Sequence, residues 1–198
     1  KPTNGKYSIA VETGTTNLVR NNLFSQWASG NPTDWFVGVN ATVSPGNGLP
    51  GLSTTSVIYT ATTPGNDGTN RLGQSDLVQP STTYSLSFYA RRLSGTGALC
   101  VGNDGTAGNL IGPTATSSEW KRYSGTFTTS STATSSIFFM PTVANDVFEI
   151  TAVQLEQLPF ATSFTPSTRP DGKFHIPITS LGFNPATDDW VVAYWKKP

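Results

Sequence analysis

Short segments in which apolar and polar residues alternate recur along the whole chain, each bounded by Gly, Asn, Asp or Pro, and no window sustains the 3.6-residue apolar period of a helix. A period of two places successive side chains on opposite faces of a strand. The clusters PGNG (45–48), PGNDG (64–68) and VGNDG (101–105) supply residues that tolerate the left-handed backbone of tight turns. Between and around them lie SIAVET, DWFVGVNATVS, TSVIYTATT, TYSLSFYARRL, GALCVG, EWKRYSGTFTT, SSIFFMPTV and VFEITAVQLEQ. Many short strands separated by turns predict an all-β chain, an antiparallel sandwich or barrel. With 198 residues, 19 Gly, 14 Pro and only 12% charged residues, the chain suits one such domain with attachments better than a helical fold.

Strand parity sorts core from surface. In TYSLSFYARR, Tyr84, Leu86, Phe88 and Ala90 share one face and read as core, whereas Ser85, Ser87, Tyr89 and Arg91 share the other. After Trp120, the residues Tyr123, Gly125 and Phe127 fall inside, with Arg122, Ser124 and Thr126 outside. In VFEITAVQLEQ, Phe148 and Ile150 are out of phase with Val153 and Leu155. One extra residue near Thr151 and Ala152 restores the phase, so a β-bulge is predicted there. Trp35 and Trp120 are assigned to the core. Ile137 and Phe139 point inward, which turns Phe138 and Met140 the other way. Pro159 has no N–H to donate and ends the last ladder. From Phe160 to Pro170 the chain reads as a linker, with Phe160 and Phe164 tucked against the domain.

Twelve basic residues balance twelve acidic ones, which leaves no field to hold a phosphate backbone or an anionic membrane surface. No apolar run reaches the roughly 20 residues that span a bilayer. Neither nucleic acid nor membrane is expected as a partner. Cys100 is the only cysteine, so no intrachain disulfide or thiolate cluster can form, and its small apolar neighbours read as a buried, inert thiol. The one histidine, His175, lies in the C-terminal tail and no GxSxG is present, which argues against a nucleophile–base triad. Glu149 and Glu156 sit on one strand about 23 Å apart, too far for the paired carboxylates of a glycosidase. Asp188 and Asp189 are adjacent and point apart or occupy a turn. The Asn-Asp-Gly turns miss the spacing of a calcium loop. The chain is expected not to be an enzyme.

Taken in order, NLVRNNLF, Trp35, YSLSFYARR, EWKRYSGTFTT and VFEITAVQLEQ resemble the jelly-roll carbohydrate-binding modules of the family 4/9 type, over about residues 16–158. The resemblance implies an antiparallel β-sandwich of jelly-roll, galactose-binding-like type, with a structural calcium. Phe24, however, is followed by Ser25 where the resemblance implies an acidic residue, and no Asp stands near Thr151 or Ala152. Asn22 and backbone carbonyls are left as candidate calcium ligands, and no other cofactor is expected. The flanks AVETGTTNLV and QLEQLPFATSFTPSTRP resemble sequences bordering such modules in phage tail and other virion surface proteins. FHIPITSLGFNPATDDWVVAYWKKP resembles the opening strands of a concanavalin-like, laminin-G-type sandwich. The expected organisation is an N-terminal strand or linker over 1–15, the jelly roll over 16–158, a linker over 159–170, and terminal strands over 171–198. In that tail DWVVAYWKK is expected to pair with KYSIAVET or to add to the sandwich.

Aromatic residues make up 11% of the chain, and sugar rings are held by flat aromatic faces flanked by a few convergent polar groups. Tyr89 and Arg91, with Gln154 on the closing strand, are candidates to line a concave, glycan-binding sheet face, and Phe138 is a further candidate. The alternative is that these side chains cover the sheet or pack against a neighbouring domain. The resemblance implies a non-catalytic module of a modular phage tail or virion surface protein, virion-borne or extracellular. It would bind glycan or polysaccharide weakly and gain avidity in a homo-oligomer. Two alternatives stay open: a purely structural, oligomerising virion or adhesin module, and an accessory module of a secreted polysaccharide hydrolase.

Overall fold

In the computed structural model of the chain, the described residues are 12–65, 68–103, 106–132 and 136–171. The expected strands beyond Asp171, with His175, Asp188 and Asp189, lie outside them, as does KYSIAVET up to Val11. Asn66, Asp67, Asp104 and Gly105 of the Asn-Asp-Gly turns are likewise outside.

The strands are β1 (Thr15–Thr16), β2 (Trp27–Ala28), β3 (Asn31–Pro32), β4 (Phe36–Val37), β5 (Ala41–Gly46), β6 (Ser56–Ala61) and β7 (Leu72–Gln74). They continue as β8 (Thr83–Ser94), β9 (Leu99–Asn103), β10 (Thr106–Thr114), β11 (Lys121–Thr128), β12 (Ile137–Pro141), β13 (Val147–Glu156) and β14 (Thr168–Arg169). No helix occurs among the described residues. One five-stranded sheet has the order β11-β8-β13-β6-β5 and the other β10-β9-β12-β7-β4. Within both, neighbours run antiparallel. Apart from the pairs β5–β6 and β9–β10, consecutive strands from β4 to β13 fall in different sheets, which is the crossing pattern of a jelly roll. The all-β sandwich expected from the alternation is the fold observed.

The two inner faces meet in one core. Tyr84, Leu86, Phe88 and Ala90 of β8 are all buried, as their parity requires. Phe88 meets Phe139 of the opposite sheet edge-to-face at 5.0 Å, Trp35 closes on Phe24 at 4.7 Å, and Phe127 stacks on Tyr84 at 5.9 Å. Burying each such ring stabilises by about 1.5–3 kcal/mol, and the Phe88–Phe139 contact joins the two sheets. The predicted bulge is present: between β13 and β8, Thr151 pairs with Tyr89 but Gln154 pairs with Ser87, three positions against two. Ala152 takes up the extra residue at φ 51°, and Phe148, Ile150, Val153 and Leu155 are all buried in the core on its two sides.

Two assignments change. Trp120 is partly exposed, because it precedes β11 on the outward parity of Arg122. Phe138 is outward-facing on β12 but belongs to the second sheet, with Met140 and Cys100 in a separate buried cluster and the Arg71 guanidinium 4.2 Å over its ring. Beside the sandwich, Thr15 and Thr16 of β1 pair with Arg169 and Thr168 of β14, and the Gly14 amide donates to Asp171 Oδ1 at 2.6 Å. The chain that enters the fold and the chain that leaves it are thereby clasped.

Candidate functional site

The outer face of the β11-β8-β13-β6-β5 sheet carries rows of side chains fixed by register. Thr126, Ser85 and Glu156 form one row, and Ser124, Ser87 and Gln154 the next. Arg122, Tyr89 and Thr151 form a third, and Arg91, Glu149, Ile58 and Ser44 a fourth. The first two rows and the last two have different surroundings.

Over the first two rows lies the segment that follows β13. Thr126 Oγ1 donates to the Pro159 carbonyl at 3.4 Å and Ser85 Oγ to the Phe160 carbonyl at 2.9 Å. The Thr162 amide and hydroxyl donate to the Glu156 carboxylate at 3.0 and 2.5 Å. Gln154 donates to Thr162 Oγ1 at 3.2 Å and to the Ser163 carbonyl at 3.3 Å, and its Oε1 accepts from the Thr165 amide at 2.6 Å. Arg122 Nη2 donates to Ser87 Oγ at 2.9 Å and also to the Thr162 carbonyl. Residues 159–165 thus form a strap whose polar groups are satisfied by the sheet beneath it. Ser85, Ser87, Gln154 and Glu156 are consequently buried.

In the last two rows Arg122, Tyr89, Arg91 and Ile58 are part-exposed and Ser44 is exposed, with Thr151 and Glu149 buried among them. Glu149 points outward, opposite in parity to Phe148 and Ile150, yet is only 2% exposed. Its Oε1 accepts from Ser56 Oγ at 2.6 Å, while Oε2 takes both Arg91 Nε at 2.8 Å and Nη2 at 2.7 Å. Gly46 makes this close packing possible, since a Cβ there would fall 2.3 Å from Ser56 Oγ and 2.6 Å from Glu149 Oε1. The Arg91 guanidinium lies 4.9 Å from the centre of the Trp120 ring, and that of Arg122 lies 6.0 Å from the centre of Tyr89. Two part-exposed rings, two cations and a fixed carboxylate therefore meet on one patch of sheet.

Of the residues singled out from sequence, Tyr89 and Arg91 come together on this patch. Gln154 shares their sheet but is sealed by the strap, and Phe138 lies in the opposite sheet, so neither lines a groove with Tyr89. Trp120, Glu149 and Arg122 were missed as site residues. Outward parity marks all three: Trp120 stands two residues before Arg122, and Glu149 lies between two core residues. Phe160, expected to be tucked in, is 50% exposed, because its backbone, not its ring, is what the sheet holds.

The residues at the position of the implied calcium do not fit a cation. Asn22 Nδ2 donates to the carbonyls of Val19 and Pro166 at 2.9 and 2.8 Å, and Asn17 Nδ2 to those of Val153 and Thr165, both at 3.0 Å. Carbonyls that could face a cation are gathered by amide N–H groups instead. Among the described residues no three His, Cys, Asp or Glu side chains converge to hold a metal.

Two clefts lie elsewhere. One of about 570 Å³ opens between Leu23 and the loop from Pro50 to Thr55, and one of about 490 Å³ lies between the clasp and Leu158. Neither is lined by Tyr89, Arg91, Trp120 or Glu149.

The model of the family described as carbohydrate binding domain, of the 4/9 type, matches residues 16–144. The chain belongs to this family. The matched span takes in Trp120, Tyr89, Arg91 and Arg122 of the patch. The carbohydrate-binding domain is similar in fold to the CBM22-1 xylan-binding domain of Paenibacillus barcinonensis Xyn10C, with a TM-score of 0.58 at 16% identity over 77% of this chain and 100% of that one. The tandem CBM22-1-CBM22-2 structure of the same protein aligns with a TM-score of 0.55 at 16% identity, over 79% of this chain and 48% of that one. The C-terminal family 22 carbohydrate binding module of Clostridium thermocellum Xyn10B gives 0.51 at 14% identity, over 71% and 94%. At these identities the likeness is one of fold. No curated protein matches the chain in sequence.

Proposed function

We propose that this domain is a non-catalytic glycan-binding module of a phage tail or other virion surface protein, and that it binds on the open half of the β11-β8-β13-β6-β5 face. The observation that carries the binding site is the patch itself. Trp120 and Tyr89 offer rings for the C–H face of a pyranose, and the part-exposed Arg91 and Arg122 offer donors, with Arg91 held in place by the buried Glu149 carboxylate. Membership of a carbohydrate-binding family supports the ligand class. The flanking segments AVETGTTNLV and QLEQLPFATSFTPSTRP support the virion setting. An exposed site of this kind binds each chain weakly, and several copies in an assembly supply avidity.

The test is a glycan array with affinity electrophoresis of the domain in its natural oligomeric state. Wild type is expected to bind at least one glycan class, and Tyr89→Ala and Trp120→Ala each to weaken that binding about tenfold or more. Wild type binding no glycan at all would leave the architectural reading in its place. The sealing of Gln154 and Glu156 by the strap supports a structural role for that half of the face.

A further inference from the structure

Each five-stranded sheet ends in two edge strands, and three of these four edges are blunted in ways that discourage pairing with another chain. β4 is only two residues long, β5 carries Pro45, and the β10–β9 ladder is broken twice by register shifts. β11 has none of these protections. Its eight residues pair with β8 in one unbroken register, from Lys121 against Ala90 to Thr128 against Thr83. It contains no proline, and among the described residues no strand lies on its other side. Lys121, Ser124, Thr126 and Thr128 are exposed, and even Tyr123 and Phe127, which have inward parity, are only part-buried. Those two rings lie 5.7 Å from Phe88 and 5.9 Å from Tyr84 on one side and complete the edge of the core on the other.

We propose that β11 pairs with β11 of a second copy of this chain, antiparallel about a twofold axis through Gly125, so that two β11-β8-β13-β6-β5 sheets join edge to edge. An axis perpendicular to the sheet keeps both inner faces on one side only when residues of like parity oppose each other. Centring on Gly125 then sets Tyr123 opposite Phe127 of the copy, and Phe127 opposite its Tyr123. Two aromatic cross-strand pairs thus close over rings that one copy leaves half-bare. On the outer face Ser124 opposes Thr126 in both directions. A centre on Ser124 would set Tyr123 against Gly125 and Phe127 against Lys121, and both ring pairs would be lost. Charge also fits. Arg122 opposes Thr128, and the two Arg122 side chains stand six positions apart along the seam, about 20 Å, beyond the roughly 10 Å over which exposed charges act in salt. Two identical antiparallel edges satisfy each other and close at two. The seam is short, so it forms at high concentration or where copies are already tethered. In the pair, the Tyr89 and Trp120 patches of both copies stand on the same face of the joined sheet. The pairing does not depend on the glycan reading, and its failure leaves that reading untouched.

The 198-residue chain is compared by sedimentation equilibrium with two double variants at exposed positions, Ser124→Lys with Thr126→Lys and Ser124→Glu with Thr126→Lys, with melting temperatures measured in parallel. Wild type is expected to pass from monomer toward dimer as its concentration rises to about 1 mM. The first variant opposes like charges twice across the seam and should associate about tenfold or more weakly. The second opposes unlike charges twice and should associate at least as tightly as wild type, both variants keeping one melting temperature. Amide exchange in wild type should slow over Arg122–Thr128 as concentration rises, and not over β5. A wild type that stays monomeric at about 1 mM, or that forms a trimer, overturns the seam. So does a Lys/Lys variant that associates like wild type, a Glu/Lys variant as weak as Lys/Lys, or exchange that slows elsewhere but not in β11.

Discussion

Removing Arg91 should expose how much the open half of the face depends on one ion pair. Glu149 is 2% exposed and has three hydrogen-bond donors, two of them from Arg91. Truncation to Ala leaves a buried carboxylate with Ser56 alone, and breaking a buried pair in this way costs about 3–5 kcal/mol when water cannot follow. Here the Arg91 side chain is 31% exposed, so water enters the vacated space and the expected loss is about 2 kcal/mol. For a domain of this size that corresponds to a fall of roughly 4–8 °C in melting temperature. Glu149→Gln keeps the shape and an oxygen for Arg91, turning its amide toward Ser56, and should cost about 1 kcal/mol. The double variant Arg91→Met with Glu149→Leu replaces both charges by apolar volume and should recover to within about 1 kcal/mol of wild type. The assay is urea denaturation followed by tryptophan fluorescence at neutral pH, repeated in high salt, where a buried pair should change little. If Arg91→Ala stays within about 0.5 kcal/mol of wild type, or if the double variant loses the sum of Arg91→Met and Glu149→Leu measured singly, Glu149 is not a desolvated charge dependent on Arg91.

Phe139→Ala removes the ring that Phe88 meets edge-on and Trp35 flanks at 6.2 Å, and should cost about 3–5 kcal/mol in denaturation, with a loss under about 1 kcal/mol showing that the sheets can collapse into the gap. Glu12 accepts from the Ser163 hydroxyl at 2.7 Å and its amide at 3.1 Å, and lies 2.7 Å from Arg169 Nη1. The Ser163 hydroxyl bond holds its carboxyl below the ordinary carboxylate range against the opposing effect of burial, aided by the Ser163 amide and the charges of Arg169 and Arg122. A carboxyl that is more acidic folded than unfolded stabilises fully above its unfolded value, and that contribution is lost as pH falls through the folded one. Amide-exchange protection at Ser163 should accordingly persist through the ordinary carboxylate range and drop only as the pH falls below it, and a flat profile after correction for intrinsic exchange would remove Glu12 from the fastening of the strap.

What could be read from sequence was whatever obeys a local period. Tyr84, Leu86, Phe88 and Ala90 declare themselves by alternation, and the bulge at Ala152 declares itself as a break in that alternation, because a register that buries Phe148 cannot also bury Val153 without an extra residue. Tyr89 and Arg91 follow from the same parity. Phe138 was placed on the right side of its own strand but not in the right sheet, since β12 takes β9 and β7 as neighbours and no local pattern encodes such distant pairing. Trp120 was misassigned because a large aromatic at the head of a strand resembles core in composition, whereas its parity with Arg122 says otherwise. The strap was the least legible element. LPFATSFT has no period, and its course is set by Ser85, Arg122, Gln154 and Glu156, whose polar groups lack partners until it settles on them.

The clasp of β1 on β14 also sets how the domain bears load. Gly14 and Asp171 are already in contact, so tension drawn along the chain through these two points pulls the short ladder apart from one end. Its few hydrogen bonds yield one after another, not all at once as they would in shear. Force thus meets the clasp before it reaches the strap or the sheets. The sandwich hangs to one side of the line of pull, and the face that carries Tyr89 and Trp120 keeps its shape while the chain around it is drawn taut.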